Sequence, residues 1–284
     1  YNRQSGMVTI APHGSSLMCK QYSSTNQTKN IVTMSFKNKV VIITGGSAGI
    51  GATTAVQFAK EGANVVIVGR NEIKLNEVAE KCQKLKANCL IVKADVTKEA
   101  DAKKVIEDTI KKYGKLDVLV NNAGILLCGN ILDGGILNIY DDLMNTNLKS
   151  VVILTCLAAP HLIKTKGNIV NVSSIAGTRV RAPEYAMYST SKAALNMFTQ
   201  GTAIELAPHG VRVNIVSPGP VRTEIVTKAD INVNIEDWKN GTALGRIGDT
   251  EEIADLILFL ASDKAKSVTG SEYVSDNGGL LYRS

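Results

Sequence analysis

Aromatic side chains are scarce. Phe, Tyr and Trp make up 5% of the 284 residues, and there is one Trp. A core built from this chain must therefore rest on Val, Ile, Leu and Ala. Histidine is rarer still: His13, His161 and His209 are scattered, so no metal site is expected. The five cysteines are Cys19, Cys82, Cys89, Cys128 and Cys156. They form no Cys-x-x-Cys and fit no metal spacing. They read as reduced thiols of a cytoplasmic protein. No apolar run reaches the roughly 18 residues that cross a bilayer, and even Ile253 to Leu260 is broken by Asp255. No membrane span is expected. The net charge is +6, but no basic-aromatic motif accompanies it. Lysines alternate with acids at helical spacing (Glu72, Lys74, Glu77, Glu80, Lys81, Lys84). That is the pattern of a solvated helix face, not of a nucleic-acid surface.

What is present is ordinary for a soluble globular protein, with 44% apolar and 20% charged residues. Residues 1–33 stand apart. They are rich in Ser, Thr, Asn and Gln, carry Arg3, Lys20 and Lys29 but no acid, and lack hydrophobic periodicity. Disorder is expected there. Met34 leads straight into a strand pattern, so the leader reads as upstream sequence or a non-native remnant. Its Ser content and lack of acids also resemble a transit peptide, although Arg3 is its one Arg. Residues 34–284 show no internal repeat and no linker, and read as a single domain.

From Val40 onward strand and helix patterns alternate. Val40–Thr44 is a continuous apolar run, as a strand buried on both faces requires. Further strands are expected at Asn64–Val68, Cys89–Lys93, Asp117–Asn121, Asn168–Ser173, Val211–Ser217 and Glu272–Ser275. Helical patterns cover Gly49–Glu61, Asn71 to about Ala87, Lys98–Tyr113, about Asp141–Lys164, Tyr188–Ala207 and Thr250–Ala261. This is an α/β chain: a doubly wound, Rossmann-type domain with a parallel sheet of about seven strands. Right-handed crossovers place every strand C-terminus along one edge, and the chemistry-bearing motifs all fall there.

The first motif is Thr44-Gly45-Gly46-Ser47-Ala48-Gly49-Ile50-Gly51. It follows the first strand and opens the first helix. Gly45, Gly49 and Gly51 permit a tight turn and close approach of a pyrophosphate, which the helix N-terminus attracts, with Ser47 and Ile50 in the same turn. An acid at the end of the second strand would bind a ribose 2′-hydroxyl and favour NAD. This chain has Gly69-Arg70-Asn71 there, and Arg70 can bind a 2′-phosphate. NADP(H) is therefore expected in preference to NAD(H). Asp95, with Val96 beside it, either accepts a bond from an adenine amino group or serves as a turn residue before Thr97.

The second motif is Tyr188-Ser189-Thr190-Ser191-Lys192. Hydride loss from an alcohol needs a base, and the reverse reaction an acid. A free Tyr titrates near 10, too high for a base at neutral pH. Lys192 lies one helical turn beyond Tyr188, roughly 6 Å along the axis. Its ammonium is expected to lower the phenol. Tyr185 is a decoy, having no Lys four residues on.

Together these residues resemble the short-chain dehydrogenase/reductase family over about residues 36–282. The glycine turn, Asn121-Asn122-Ala123-Gly124, Asn147, Ser174, Tyr188-x-x-x-Lys192, Pro218-Gly219, Arg246-Ile247-Gly248, Thr269-Gly270 and Asp276-x-Gly278-Gly279 appear in the family's order. The resemblance implies a catalytic set of Asn147, Ser174, Tyr188 and Lys192. Ser174 orients the substrate oxygen, with Ser173 expected to point the other way. Lys192 also holds the nicotinamide ribose, and Asn147 bends a helix and relays protons, with Asn145 its rival. It further implies that Asn121, Ala123, Gly124, Pro218, Gly219, Val221 and Thr223 line the cofactor groove, and that the protein forms a homotetramer or homodimer. The segment from about Val221 to Gly241 corresponds to the family's substrate loop. Its Ile225, Val226, Ile231, Val233, Ile235 and Trp238 suggest a small hydrophobic ketone or secondary alcohol (steroid, retinoid, isoprenoid or fatty-acyl), and Ile125-Leu126-Leu127 adds apolar surface. Arg179 and Arg181 either attract an acidic carrier, as in the similar 3-oxoacyl-carrier-protein reductases, or are solvated. A nucleotide-binding regulator without turnover is the rival class.

Overall fold

β1, Val40–Thr44, has all five residues buried. Its side chains alternate between two cores: Val41 and Ile43 join one, Val40 and Ile42 the other. This is the period-2 alternation of a strand covered on both faces. The computed structural model describes residues 35–225 and 235–282. The expected leader lies outside the described residues, as do Val226, Ile231 and Val233 of the substrate segment.

The remaining elements, in chain order, are α1 (Gly49–Lys60), β2 (Asn64–Gly69), α2 (Glu72–Lys84), β3 (Cys89–Lys93), α3 (Glu99–Tyr113), β4 (Val118–Asn121), α4 (Gly135–Met144), a π-turn (Asn145–Lys149), α5 (Ser150–Thr165), β5 (Asn168–Val172), α6 (Ala186–Leu206), β6 (Arg212–Pro218), α7 (Thr250–Ala261) and β7 (Glu272–Ser275). The sheet order is β3-β2-β1-β4-β5-β6-β7. Every pairing is parallel, as expected. One face packs against α1, α2 and α7 through Phe58, Leu75 and Ile257. The other packs against α3, α5 and α6 through Val105, Leu154 and Ala203. Asn71 caps α2, its Oδ1 accepting from Lys74 N at 3.1 Å.

The long helical region differs from its sequence pattern. It begins at Gly135, six residues before the expected Asp141, and the π-turn interrupts it. Gly135–Thr165 is long and apolar enough to cross a membrane by length and composition, although no uninterrupted apolar run shows it. Leu154, Ala158 and Leu162 of this stretch are buried against the sheet, so burial in the protein accounts for much of its apolar character.

Candidate active site

The C-terminal edge of the sheet is built from the glycine turn outward. Gly45 (φ 64°) and Gly49 (φ 53°) hold left-handed backbone that side chains resist. Thr44 Oγ1 accepts from Asn122 N and Ala123 N, both at 3.0 Å. Asn122 Nδ2 donates back to Thr44 O at 2.9 Å and Gly45 O at 3.3 Å. The loops after β1 and β4 are thereby stitched together. A Cβ on Gly51 would lie 2.4 Å from Gly45 O and from Asn122 Nδ2, so only glycine lets α1 start this close. Ala48 supplies no side-chain cap to α1. The free N–H groups and the helix dipole thus face a cleft of about 820 Å³.

Gly45, Ser47, Gly49 and Ile50 form one wall of this cleft, and Ala123 and Gly124 another. Pro218, Gly219, Val221 and Thr223 line it from the end of β6. Arg70 is exposed on the wall beyond β2, with Asp95 and Val96 nearby. Asp95 Oδ1 accepts from Thr97 N at 3.1 Å and Thr97 Oγ1 at 2.8 Å. Burial raises its carboxyl, but the Thr97 hydrogen bonds and the nearby Arg70 charge outweigh that and hold it below the usual carboxylate range. It is a turn residue that also faces the cleft. A glycine cradle, an uncapped helix N-terminus and a long cleft fit a dinucleotide.

Three expected residues do not face the cleft. Gly51 packs inside the turn, as described. Asn121 points to the sheet interior and donates to Asn171 Oδ1 at 2.8 Å. Asn122 lines the cleft instead, because adjacent residues at a strand end face opposite ways. Asn147 is fully buried behind the wall, in the π-turn. Its Oδ1 accepts from Ile125 N at 2.9 Å, and its Nδ2 donates to Ile125 O at 3.0 Å and Ser191 Oγ at 3.1 Å. It clamps the loop after Gly124. A Cβ on Gly124 would sit 3.3 Å from Asn147 Oδ1 and 3.5 Å from Lys192 Nζ.

Ser174, Tyr188 and Lys192 come together in the cleft. Ser173 turns away, its hydroxyl donating to Lys192 O at 3.4 Å. Ser174 Oγ accepts from Ala176 N at 3.1 Å and lies close enough to the Tyr188 phenol to favour its ionised form. Lys192 is buried, and its Nζ donates to Val172 O at 3.1 Å. It stands 5.9 Å from the centroid of the Tyr188 ring. The expected lowering of Tyr188 is not found. Burial raises the phenol above its ordinary value, and the Ser174 hydroxyl offsets only part of this. Burial also brings Lys192 down to about 8. Desolvation disfavours both charged forms.

Sequence reasoning left two cleft residues, Asp142 and Thr146, unassigned. Asp142 and Thr146 enter from α4 and the π-turn. Arg181 enters from the loop between Ser174 and α6, and Tyr185 from the same loop. Ile225 and Trp238 line the opposite rim. No period or motif marks Asp142 and Thr146, whereas Ile225 and Trp238 were expected in the substrate segment, Arg181 either at an acidic carrier or in solvent, and Tyr185 only as a decoy.

The fold and cleft define a dinucleotide-binding oxidoreductase. A family model described as enoyl-(acyl carrier protein) reductase matches residues 45–279. The chain belongs to the short-chain dehydrogenase/reductase family, whose members bind a nicotinamide cofactor. It is 39% identical to an uncharacterized oxidoreductase of Thermotoga maritima, over 86% of this chain and 98% of that protein. It is 37% identical to the 3-oxoacyl-[acyl-carrier-protein] reductase of the same organism, over 87% and 100%. A short-chain dehydrogenase/reductase of unknown function from Caenorhabditis elegans, solved with cofactor, superposes with a TM-score of 0.82 at 39% identity, covering 87% of this chain and 97% of that one. A Burkholderia cenocepacia short-chain dehydrogenase in complex with NADP gives 0.80 at 31%, covering 86% and 98%.

Proposed function

We propose that this oxidoreductase interconverts a hydrophobic ketone and its secondary alcohol with NADP(H), using Tyr188 as the group that gives and takes the proton. The observation that carries this reading is the meeting of Ser174, Tyr188 and Lys192 in the cleft that the glycine turn opens. The nicotinamide supplies or accepts the hydride when bound. A phenol raised by burial keeps its proton at neutral pH, which suits ketone reduction. When it gives up that proton, the Ser174 hydroxyl and the nearby Lys192 charge stabilise the phenolate. Lys192, near 8, is still mostly protonated at neutral pH and can return a proton. Asn147 holds the Gly124–Ile125 loop against Lys192 and keeps that distance fixed.

Preference for NADP(H) follows from the end of β2. Arg70 stands on the cleft wall where a carboxylate would select the unphosphorylated ribose. An apolar substrate is favoured by Leu126, Leu127, Ile225 and Trp238 on the cleft. A 3-oxoacyl thioester is the second reading, favoured by the relative of that activity. Assembly into a homotetramer or homodimer is supported by Met197 and Ile204, 68% and 78% exposed. They flank Gly201 on one face of α6, where a Cβ would meet nothing within 4 Å. The test is kinetic: kcat/KM for NADPH and NADH over a panel of apolar ketones. A clear NADPH advantage is expected, and equal values would reject the cofactor preference.

A further inference from the structure

The loop between Ser174 and Tyr188 places a guanidinium on the cleft wall. Arg181 Nη2 donates to Gly279 O at 2.9 Å and Gly241 O at 3.2 Å. Both acceptors are neutral carbonyls, that of Gly241 at the end of the substrate segment and that of Gly279 beyond β7. The two glycines make room for it. A Cβ on Gly279 would lie 2.8 Å from Nη2, and one on Gly241 3.0 Å from Nη1. A guanidinium carries five donors. Nη1 and Nε of Arg181 meet no acceptor among the described residues, and no carboxylate there pairs with it. Arg222 and Arg246, by contrast, each hold a carboxylate. Arg181 is thus oriented by backbone yet uncompensated in charge. It shares the cavity with Ser174, Tyr185, Tyr188 and Trp238. An oriented guanidinium with open donors matches the planar geometry of a carboxylate or phosphate.

We infer that Arg181 reads an anionic group at one end of an otherwise apolar carbonyl substrate, so that among hydrophobic ketones this end of the cleft favours those that carry a carboxylate or phosphate, as oxo acids or phosphate-bearing acyl thioesters do, over those that carry none. The inference rests on the oxidoreductase reading for its substrate, but not for its binding test. Trp238 is the one Trp in the chain and lines the same cavity, so its fluorescence reports occupancy without turnover. The probes are 5-oxohexanoate against its methyl ester, and acetoacetyl-phosphopantetheine against the neutral N-acetylcysteamine thioester. Each is titrated into the full chain with and without NADP⁺. A charge-assisted pair lost to truncation corresponds to about 10- to 100-fold in affinity. The wild type should therefore bind one anionic probe at least tenfold more tightly than its neutral partner. Whichever pair shows the difference identifies carboxylate or phosphate as the source. Arg181→Met should abolish the difference while leaving the neutral probe within about twofold, and Arg181→Lys should retain part of it. Equal affinity of the wild type for anionic and neutral probes overturns the inference, and needs no variant to fold. Equal weakening of both probes in Arg181→Met also overturns it, leaving Arg181 a pin between the two carbonyls. If no probe oxidises NADPH while the binding difference persists, the assigned reaction fails and the anion site stands.

Discussion

Gly51→Ala is the sharpest perturbation of the cofactor cradle. The added methyl would lie 2.4 Å from Gly45 O and from Asn122 Nδ2, and 2.9 Å from Gly45 C. Two of these three atoms are backbone of the turn itself, so no side-chain rotation relieves the overlap. Asn122 cannot retreat freely either, because its Nδ2 is committed to Thr44 O and Gly45 O. The turn must open, and the stitching between the loops after β1 and β4 stretches with it. Overpacking of this kind costs about 1–3 kcal/mol. For a chain of this size that is a fall of several degrees in melting temperature, at roughly 2–4 °C per kcal/mol. The strained turn leads directly into the helix N-terminus that faces the cleft, so the same strain should appear in binding. At about 1.4 kcal/mol per tenfold, NADPH affinity should fall roughly 5- to 100-fold. Fluorescence titration with NADPH and a thermal melt of the purified variant measure the two quantities. Affinity within twofold of wild type, with an unchanged melt, would refute the claim that this turn is the cradle.

Two further outcomes follow from the same geometry. Arg70→Glu should lower kcat/KM for NADPH about 10- to 100-fold, since hydrogen bonds to charged groups contribute about 1.5–3 kcal/mol, and should leave NADH use equal or improved; steady-state kinetics with both cofactors checks this. Lys192 is held near 8, well below its ordinary 10.5. Between those values the unfolded chain holds a proton that the folded protein has lost, so stability rises with pH across that window. Lys192→Met should therefore melt higher than wild type at pH 7, by a few degrees, while losing turnover. The gap should narrow as pH rises above 8, and a gap independent of pH between 7 and 10 would contradict the burial argument.

The sheet was legible because its inner strands β1, β4 and β5 are buried on both faces, and runs such as Val40–Ile43 stand out in the sequence. The start of α4 was not. Gly134 and Gly135 are poor helix formers and give no capping signal, so the pattern seemed to begin at Asp141. The π-turn at Asn145–Lys149 leaves no mark on helical periodicity either. At the site, spacing marks Tyr188 and Lys192, and the resemblance to the family adds Asn147 and Ser174, but spacing carries no burial. It therefore gave the wrong direction for the Tyr188 phenol, where desolvation by burial is the largest influence. Choosing Asn121 over Asn122 failed for a related reason: which of two neighbours faces the cleft depends on the phase of β4, not on their identity. Arg181 was named in the sequence, but the carbonyls that orient it, of Gly241 and Gly279, lie 60 and 98 residues away.

Tyr188→Phe tests the central claim most directly. It removes one hydroxyl from the cleft while leaving the ring beside Lys192 and the glycine cradle untouched. Single-turnover reduction of an accepted ketone by bound NADPH should slow by at least about 100-fold, the low end of what a positioned proton donor contributes, with NADPH affinity within about threefold of wild type. A variant that still reduces the ketone at near-normal rate would show that the proton comes from elsewhere, and the account of this site would be wrong.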